Sequence, residues 1–236
     1  MNHFKIIFLI MLLCSLGVSA KPASKLISKT TVGKDQKLKN VLLKIQSTYD
    51  KTSQFEATFK QKYHHKILKK VDESEGEIYY QKPGMLRWDY QKPHQKSFIV
   101  ANNSLWVHQP EDNLVYVNKC FKQDGLTASI AFLWGQGKII DLFEATWFEG
   151  QLGDKQDHHL ALTPKQKNGV YRQLILVIDH KTYRVKQSIV IDFGGNMNQF
   201  IFTDPKFNQK ILATKFKTDF PKGTEVMPIP GQECSG

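Results

Sequence analysis

The sequence lacks the compositional extremes that mark several large classes of protein. Only 9 of its 236 residues are proline, and the composition is close to the globular average. This excludes collagen-like, coiled-coil and low-complexity chains. Aromatic residues make up 11% of the chain, whereas disordered chains lack them. A chain of this length can bury a substantial core as one β-rich domain or as two small domains.

Signatures of catalysis are also scarce. The chain contains no G-x-S-x-G nucleophile elbow and no H-E-x-x-H zinc helix. Residues 135–138 (GQGK) lack the upstream glycine and the following Ser or Thr of a phosphate loop, so they indicate a glycine-rich helix end. Each of the pairs His64-His65 and His158-His159 offers one ligand to each face of a strand, which favours surface or turn histidines. The sequence therefore predicts no enzyme, no metal site and no cofactor.

Long apolar runs are absent after the first twenty residues. Lys5, an apolar run over residues 6–13 and a small-residue site at residues 18–20 have the order of a secretory signal peptide. The run is too short to span a bilayer as a lasting anchor. We therefore expect an exported, soluble protein that is located in the periplasm and cleaved after Ala20.

Cysteine is limited to three residues, of which Cys120 and Cys234 follow the signal peptide. An oxidising compartment permits these two to pair. A bridge would close a long loop, which is worth roughly 3–5 kcal/mol in the chain-entropy model. The alternative is two unpaired thiols, and the bridge is the favoured interpretation.

The net charge of +11 indicates nucleic acid, an anionic membrane surface or an acidic partner, without choosing among them. An exported chain without a recognisable base-stacking motif is not expected to bind nucleic acid. The acidic cluster Asp72, Glu73, Glu75 and Glu77 is predicted to be a solvated hairpin loop.

The periodicity of apolar residues predicts one helix followed by a sheet. Residues 21–36 form a basic, unpatterned leader, and Asp35 is a plausible N-cap for a helix whose apolar face includes Leu42 and Ile45. From Phe55 onward the period is two. About ten strands are predicted, over residues 55–63, 86–90, 98–100, 105–107, 114–117, 159–163, 170–179, 183–193, 198–203 and 214–220. With short turns and no helix between most of them, these strands predict an antiparallel meander.

An insertion interrupts this series of strands. Residues 126–134 read as a short helix between Gly125 and Gly135, and a second apolar stretch follows over residues 139–143. The chain has more bulky apolar residues than one sheet face and two or three helices would be expected to need. These residues are either simply the core, or the lining of a cavity that a lipid can enter.

Residues 76–93 (GEIYYQKPGMLRWDYQKP) and the hairpin at residues 99–106 (IVANNSLW) carry the discriminating pattern. Together with residues 55–61 (FEATFKQ), 162–165 (LTPK) and 216–226 (FKTDFPKGTEV), they resemble the LolA-type periplasmic lipoprotein carrier family. The similarity extends over residues 37–227, which leaves residues 228–236 as a C-terminal tail.

The resemblance implies a mainly β, α+β fold: an incomplete antiparallel β-barrel covered by a lid of short helices. It implies a monomeric carrier that takes acylated lipoproteins from an inner-membrane ABC transporter and delivers them to an outer-membrane acceptor. Exposed acyl chains cost about 0.8 kcal/mol per CH₂ in water, so such a cargo needs shielding.

The resemblance also assigns roles to residues. It implies a lipid-binding cavity lined by Phe55, Phe59, Leu86, Trp88, Trp106, Leu42 and Ile45, and a lid that contains Ile130, Phe132, Leu133 and Trp134. Leu86 belongs to the segment that contributes to partner transfer. Lys82 stands where the family usually has arginine, and would close the lid by binding its backbone. Lysine keeps the charge but lacks the forked donor geometry of arginine.

Two alternatives remain open at this stage. One is a periplasmic sensor or regulatory module on the same half-barrel, and the other is a carrier of a different amphiphilic lipid.

Overall fold

The computed structural model describes residues 29–121, 137–150, 152–166 and 169–229. The predicted signal peptide, the lid residues Ile130, Phe132, Leu133 and Trp134, and Cys234 lie outside these ranges.

Within the described residues, a long helix α1 (Lys29–Asp50) precedes a sheet, and a short helix α2 (Ile139–Leu142) is inserted midway along the strands. The strands are β1 (Gln54–His65), β2 (Lys70–Gln81), β3 (Met85–Lys92), β4 (Lys96–Ala101), β5 (Ser104–Gln109), β6 (Leu114–Asn118), β7 (Phe143–Trp147), β8 (His158–Pro164), β9 (Gln173–Ile178), β10 (Val185–Ile191), β11 (Met197–Phe207) and β12 (Glu225–Pro228). Two 3₁₀ turns, Pro110–Asp112 and Ala213–Phe216, complete the elements.

All twelve strands form one open sheet in the order β12-β6-β5-β4-β3-β2-β1-β11-β10-β9-β8-β7. Pairing is antiparallel throughout except between β6 and β12, which run parallel. The pairing of β1 with β11 joins two meanders, one on each side of it in the sheet. The structure therefore confirms the mainly β half-barrel. It corrects the predicted meander in two respects, because β1 pairs with the distant strand β11 and the edge strand β12 runs parallel to β6.

The sheet has two faces of different character. The inner face is the one that packs against α1, and its apolar residues belong to the main core: Ala57, Phe59, Ile78, Tyr80, Leu86, Trp88, Val100, Leu160, Leu162, Leu174, Leu176 and Phe200. The alternation of a strand places these side chains two residues apart on one side.

Helix α1 lies against the inner face, with Val41, Leu42, Ile45 and Tyr49 buried in that core. The predicted N-cap at Asp35 is wrong, because the helix already begins at Lys29. The expected leader over residues 21–36 is therefore helical in its last part. Residues 29–36 contain no proline, and a helix anchored by packing further along can extend through residues of modest propensity.

The acidic cluster is part of a strand, and not a hairpin loop as predicted. Asp72, Glu73, Glu75 and Glu77 all lie on β2. Glu73 pairs with Lys62 at 2.9 Å and Glu75 with Lys92 at 2.7 Å across neighbouring strands. Opposite charges that face each other across a ladder stabilise the pairing of strands, which is why an acidic run is compatible with β structure here.

The predicted last strand over residues 214–220 is also wrong. This stretch begins with the 3₁₀ turn and belongs to a segment that crosses the outer face, which we call the outer cover (residues 209–221). Its Ile211 and Phe216 are buried with Tyr79 and Met85 of the sheet. These two residues are therefore buried by packing on the sheet rather than by pairing within it.

Candidate functional site

Aromatic rings form the centre of the inner face. Phe59 packs edge-on against Trp88 and Phe200, with ring centroids 5.2 and 5.9 Å apart, and Trp88 lies 4.9 Å from Phe200. Tyr90 adds a further edge contact to Phe59 at 5.1 Å. Such edge-to-face pairs give an apolar surface of defined shape.

Gly76 makes this packing possible. A Cβ at this position would stand 1.8 Å from the backbone oxygen of Asp89 and 3.0 Å from the Phe59 ring. Only glycine therefore allows β3 and the Phe59 ring to approach β2 so closely.

Three tyrosines are buried or half-buried in this interior. Burial raises the pKa of Tyr49, Tyr80 and Tyr90 above the ordinary tyrosine value, because a phenolate is poorly solvated there.

Two polar atoms in this interior have no hydrogen-bond partner among the described residues: Trp88 Nε1 and Ser188 Oγ. Trp88 is 6% exposed and Ser188 is 2% exposed. A buried donor without a partner costs free energy. A ligand with a carbonyl or ester oxygen could satisfy either group.

The space between α1 and the sheet is narrow beside Phe55. It has a volume of about 10 Å³ and is lined by Tyr49, Thr52, Phe55, Ile78, Tyr80, Val185 and Phe202. Ligand pockets typically have volumes of roughly 300–1,000 Å³. At this position an acyl chain therefore fits only after α1 has moved away from the sheet.

Polar contacts hold α1 at several points along its length, including one from Lys44 Nζ to Tyr183 Oη at 3.0 Å. Lys82 Nζ donates to the carbonyl oxygens of Tyr49 and Asp50 at the C-terminal end of the helix, at 2.9 and 3.3 Å. The Val185 backbone N–H donates to Tyr49 Oη, and the Ile139 N–H of α2 donates to Gln46 Oε1, both at 2.9 Å. A cation at the C-terminal carbonyls also complements the helix dipole.

The structure brings six of the predicted cavity residues together. Phe55, Phe59, Leu86 and Trp88 of the sheet, and Leu42 and Ile45 of α1, all belong to the inner core or pack against it. Lys82 contacts α1, whereas the segment with Ile130, Phe132, Leu133 and Trp134 is not among the described residues.

The predicted position of Trp106 in the cavity is wrong. It pairs with Ile99 rather than with Val100, so it lies on the outer face. There its ring packs against Phe220 of the outer cover at 5.8 Å. Leu105 and Val107 alternate with it and face the other way. Period-two alternation alone could not decide which of the two sets points inward.

Sequence reasoning missed Ser188, Phe200 and Phe202 as inner-face residues. Phe200 and Phe202 had a signal, because they alternate within a strand that was predicted correctly. The helical spacing did place Tyr49 on the apolar face of α1, but its hydrogen bond with the Val185 backbone depends on a tertiary contact and could not be read from local sequence.

Cys120 is disulfide-bonded. Because Cys234 lies outside the described residues, the pairing of these two cysteines stays a prediction.

Potential metal ligands come together at one group among the described residues. Donor atoms of Asp157, Asp179 and His180 lie within 4.8 Å of one another. Lys186 Nζ is already 2.7 Å from Asp157 Oδ2, so an ammonium group balances the buried carboxylate.

In the part of the chain that the structure describes, no helix combines the length and apolarity needed to cross a bilayer.

An open sheet whose apolar inner face is closed by a separately tied helix defines a half-barrel binding protein. A family model described as "Outer membrane lipoprotein carrier protein LolA" matches residues 50–219, and the chain belongs to this family. Its members are carrier proteins and not enzymes.

Two relatives show the level of similarity. The outer-membrane lipoprotein carrier protein of Pseudomonas paraeruginosa (strain DSM 24068 / PA7) is 26% identical over 158 residues, which cover 67% of this chain and 73% of the relative. That of Azotobacter vinelandii (strain DJ / ATCC BAA-1303) is 26% identical over 157 residues, or 66% and 73% of the two chains.

Among solved structures, an uncharacterized conserved protein from Thermus thermophilus has a TM-score of 0.52 at 12% identity, over 82% of this chain and 100% of that one. This likeness concerns the fold alone.

Proposed function

We propose that this chain is a periplasmic carrier that shields the acyl chains of lipoproteins between its inner face and α1. It receives them from an inner-membrane ABC transporter and delivers them to an outer-membrane acceptor, after export and cleavage at Ala20. The family match and the names of the relatives support the class of cargo.

The observation that carries the proposal is the separable cover on a large apolar face. The cover α1 contributes Leu42 and Ile45 to the core, yet among the described residues its chain continues into a strand only at its C-terminal end. Its displacement breaks side-chain contacts and a few hydrogen bonds while every strand ladder stays intact.

The energetics fit this cargo. Each CH₂ moved from water into an apolar site is worth about 0.8 kcal/mol. An acyl chain of about sixteen carbons therefore gains roughly 12 kcal/mol, which is enough to offset the loss of the α1 contacts. The unpartnered Trp88 Nε1 and Ser188 Oγ are suited to the ester oxygens at the head of the chains.

The proposed site residues are Phe55, Phe59, Leu86 and Trp88 on the sheet and Leu42 and Ile45 on α1. Lys82 holds the closed arrangement, and the segment with Ile130, Phe132, Leu133 and Trp134 completes the lid. Trp106 is not part of this set, because it lies on the outer face.

Photo-crosslinking from matched phenylalanine positions tests the proposal. A benzophenone analogue at Phe55 lies beside the inner space, whereas the same analogue at Phe220 lies on the outer face against Trp106. The variants are incubated with spheroplasts that make a radiolabelled triacylated lipoprotein, and the released soluble complexes are irradiated.

We expect release by both variants, with crosslinking to the acyl chains from position 55 and not from position 220. Absence of release, or equal crosslinking from the two faces, would refute the carrier. Release of a different amphiphile, detected by native mass spectrometry, would instead identify another lipid as the cargo.

A further inference from the structure

The turn between β1 and β2 exposes apolar side chains at the tip of the sheet. Ile67 is 87% exposed and Leu68 is 70% exposed. Turns usually carry Gly, which adopts positive φ without strain, or Asn, Asp and Ser, whose side chains hydrogen-bond the local backbone. Two large aliphatic residues at this position make no contribution to the core.

A second turn lies directly beside the first. It joins β10 to β11 over residues 192–196, and its Asn196 Oδ1 accepts a hydrogen bond from the Lys66 backbone N–H at 3.0 Å. Phe193 in this turn is 62% exposed. Single exposed apolar residues are common on protein surfaces, but a group on two joined turns indicates an interaction site.

Cations flank the first of these turns, whereas the second contains the Asp192 carboxylate, which accepts hydrogen bonds from the Asn196 backbone N–H and side-chain amide at 2.8 and 2.7 Å. Lys66, Lys69 and Lys70 occupy the first turn and the start of β2. The nearest carboxylate on that strand, Asp72, is already bound by Lys70 at 2.6 Å and by His65 at 2.8 Å. Within the described residues Lys66 and Lys69 form no ion pair, so their charges are available to an external anion.

We propose that these two turns, residues 66–69 and 192–196, are a docking surface for an anionic phospholipid bilayer. Ile67, Leu68 and Phe193 enter the interface between headgroups and acyl chains, and Lys66 and Lys69 bind lipid phosphates. Lysine suits this position because its stem can lie along apolar surface while its ammonium group stays among the headgroups.

A bilayer fits this surface better than a protein partner does. The apolar residues stand exposed on two tight turns, so they match a soft interface better than a shaped surface. The inference concerns the cargo-free protein and does not depend on the proposed carrier function.

Vesicle cosedimentation of the full mature chain tests the proposal. The vesicles are phosphatidylcholine alone or phosphatidylcholine mixed with phosphatidylglycerol. The test variants are Ile67→Ser with Leu68→Ser, and Lys66→Gln with Lys69→Gln. The matched control is Leu212→Ser with Lys210→Gln. Leu212 is 64% exposed, and its segment lies near Gln54, at the opposite end of β1 from the tip.

We expect the unchanged protein to bind the anionic vesicles and to bind neutral ones much more weakly. Each exposed lysine near an anionic surface is worth about 1 kcal/mol, so the lysine pair should weaken binding about 30-fold and reduce its salt dependence. The Ile67 and Leu68 pair should weaken it at least roughly tenfold. The control should bind like the unchanged protein.

Equal binding by the tip variants and the unchanged protein would overturn the proposal. So would equal loss in the Leu212 control, or binding to an acidic protein without binding to vesicles. Circular dichroism and crosslinking from position 55 show whether the variants remain folded and able to hold acyl chains. Lost vesicle binding with preserved crosslinking separates this inference from the proposed function.

Discussion

Both faces of the sheet are covered by chain, but the two covers are attached differently. The outer cover is continuous with β11 before it and leads to β12 after it, so strand pairing fixes it at both ends. It is tied further by Lys215, whose ammonium group donates to Tyr79 Oη at 2.7 Å and whose carbonyl accepts from Arg87. Among the described residues, the inner cover α1 continues into a strand at its C-terminal end and follows no strand at its N-terminal end.

From this difference we infer which face opens in the proposed carrier. The larger apolar surface, with Phe59, Trp88 and Phe200, lies beneath α1. The smaller one lies beneath the outer cover, which is connected to a strand at both of its ends. Removing the outer cover would require strand pairs to break, whereas α1 can move as a unit. The predictions below test this asymmetry.

The largest effects on stability are expected when one buried apolar side chain of each cover is shortened to alanine. Phe216→Ala should lower the free energy of unfolding by about 3–5 kcal/mol, and Ile45→Ala by about 2–5 kcal/mol, because both side chains are buried. Urea denaturation measures both. Only Ile45→Ala should speed the entry of a fluorescent fatty acid, because only α1 has to move.

Leu43→Ala is the control on the same helix, since Leu43 is 47% exposed. It should change stability by no more than about 0.5 kcal/mol. Faster entry in Phe216→Ala would show that the outer cover also opens, and would remove the asymmetry.

Gly76→Ala should have the next largest effect. It should lower the free energy of unfolding by at least roughly 1–3 kcal/mol, since the new methyl group would overlap the Asp89 carbonyl. Gly33→Ala is the matched control, because nothing lies within 4 Å of its Cβ position on α1. That change should be neutral or stabilising, as alanine favours helices. Thermal unfolding of the two variants checks this, and equal loss in both would contradict the close-approach argument.

Lys82→Met should lower stability by about 1–2 kcal/mol, because two charge-assisted hydrogen bonds to the end of α1 are lost. The closed state is weakened, so the apparent affinity for an acyl probe should rise up to about tenfold. Lys82→Arg should restore most of the closure, and exposed Lys51→Met should leave both quantities unchanged. An unchanged probe affinity in Lys82→Met would show that Lys82 does not control opening.

The smallest effect concerns pH. His158 stacks on Tyr183 and contacts Trp147 on the inner side. Burial, and then the nearby Lys37 charge, lower the pKa of His158 below the ordinary value. A lowered histidine pKa favours the neutral form in the folded state, so stability should be lost as pH falls through about 6.5. His158→Gln should reduce the fall in Tm between pH 7.5 and pH 5, whereas His94→Gln should not. If the fall in Tm is the same in His158→Gln as in the unchanged protein, His158 does not contribute to the pH dependence of stability.

Much of the fold was accessible from the sequence where local pattern and burial agree. The alternation of Leu86, Trp88 and Tyr90 predicted β3 and its buried side. Asn102-Asn103 predicted the hairpin between β4 and β5, and both residues adopt positive φ, as such turns require.

The remainder depends on contacts between distant segments. The acidic residues of β2 are compatible with a strand only because lysines of β1 and β3 face them. Trp106 lies outside because the outer cover supplies an apolar surface there, and no local pattern reveals that surface. The extension of α1 back to Lys29 likewise depends on packing further along the helix. The role of Lys82 was implied only by the family resemblance, and no local pattern shows that its partners are the carbonyl oxygens of Tyr49 and Asp50.

The order of the strands also affects how safely the molecule can open. Its two longest strands, β1 and β2, lie in the middle of the sheet, whereas its edges are β12, with four residues, and β7, with five. β12 ends in Pro228, which has no N–H to offer a neighbour. Exposed strand edges are templates for polymerisation, and short or proline-containing edges discourage it. If the inner face opens as proposed, these edges protect the protein against joining copies of itself edge to edge.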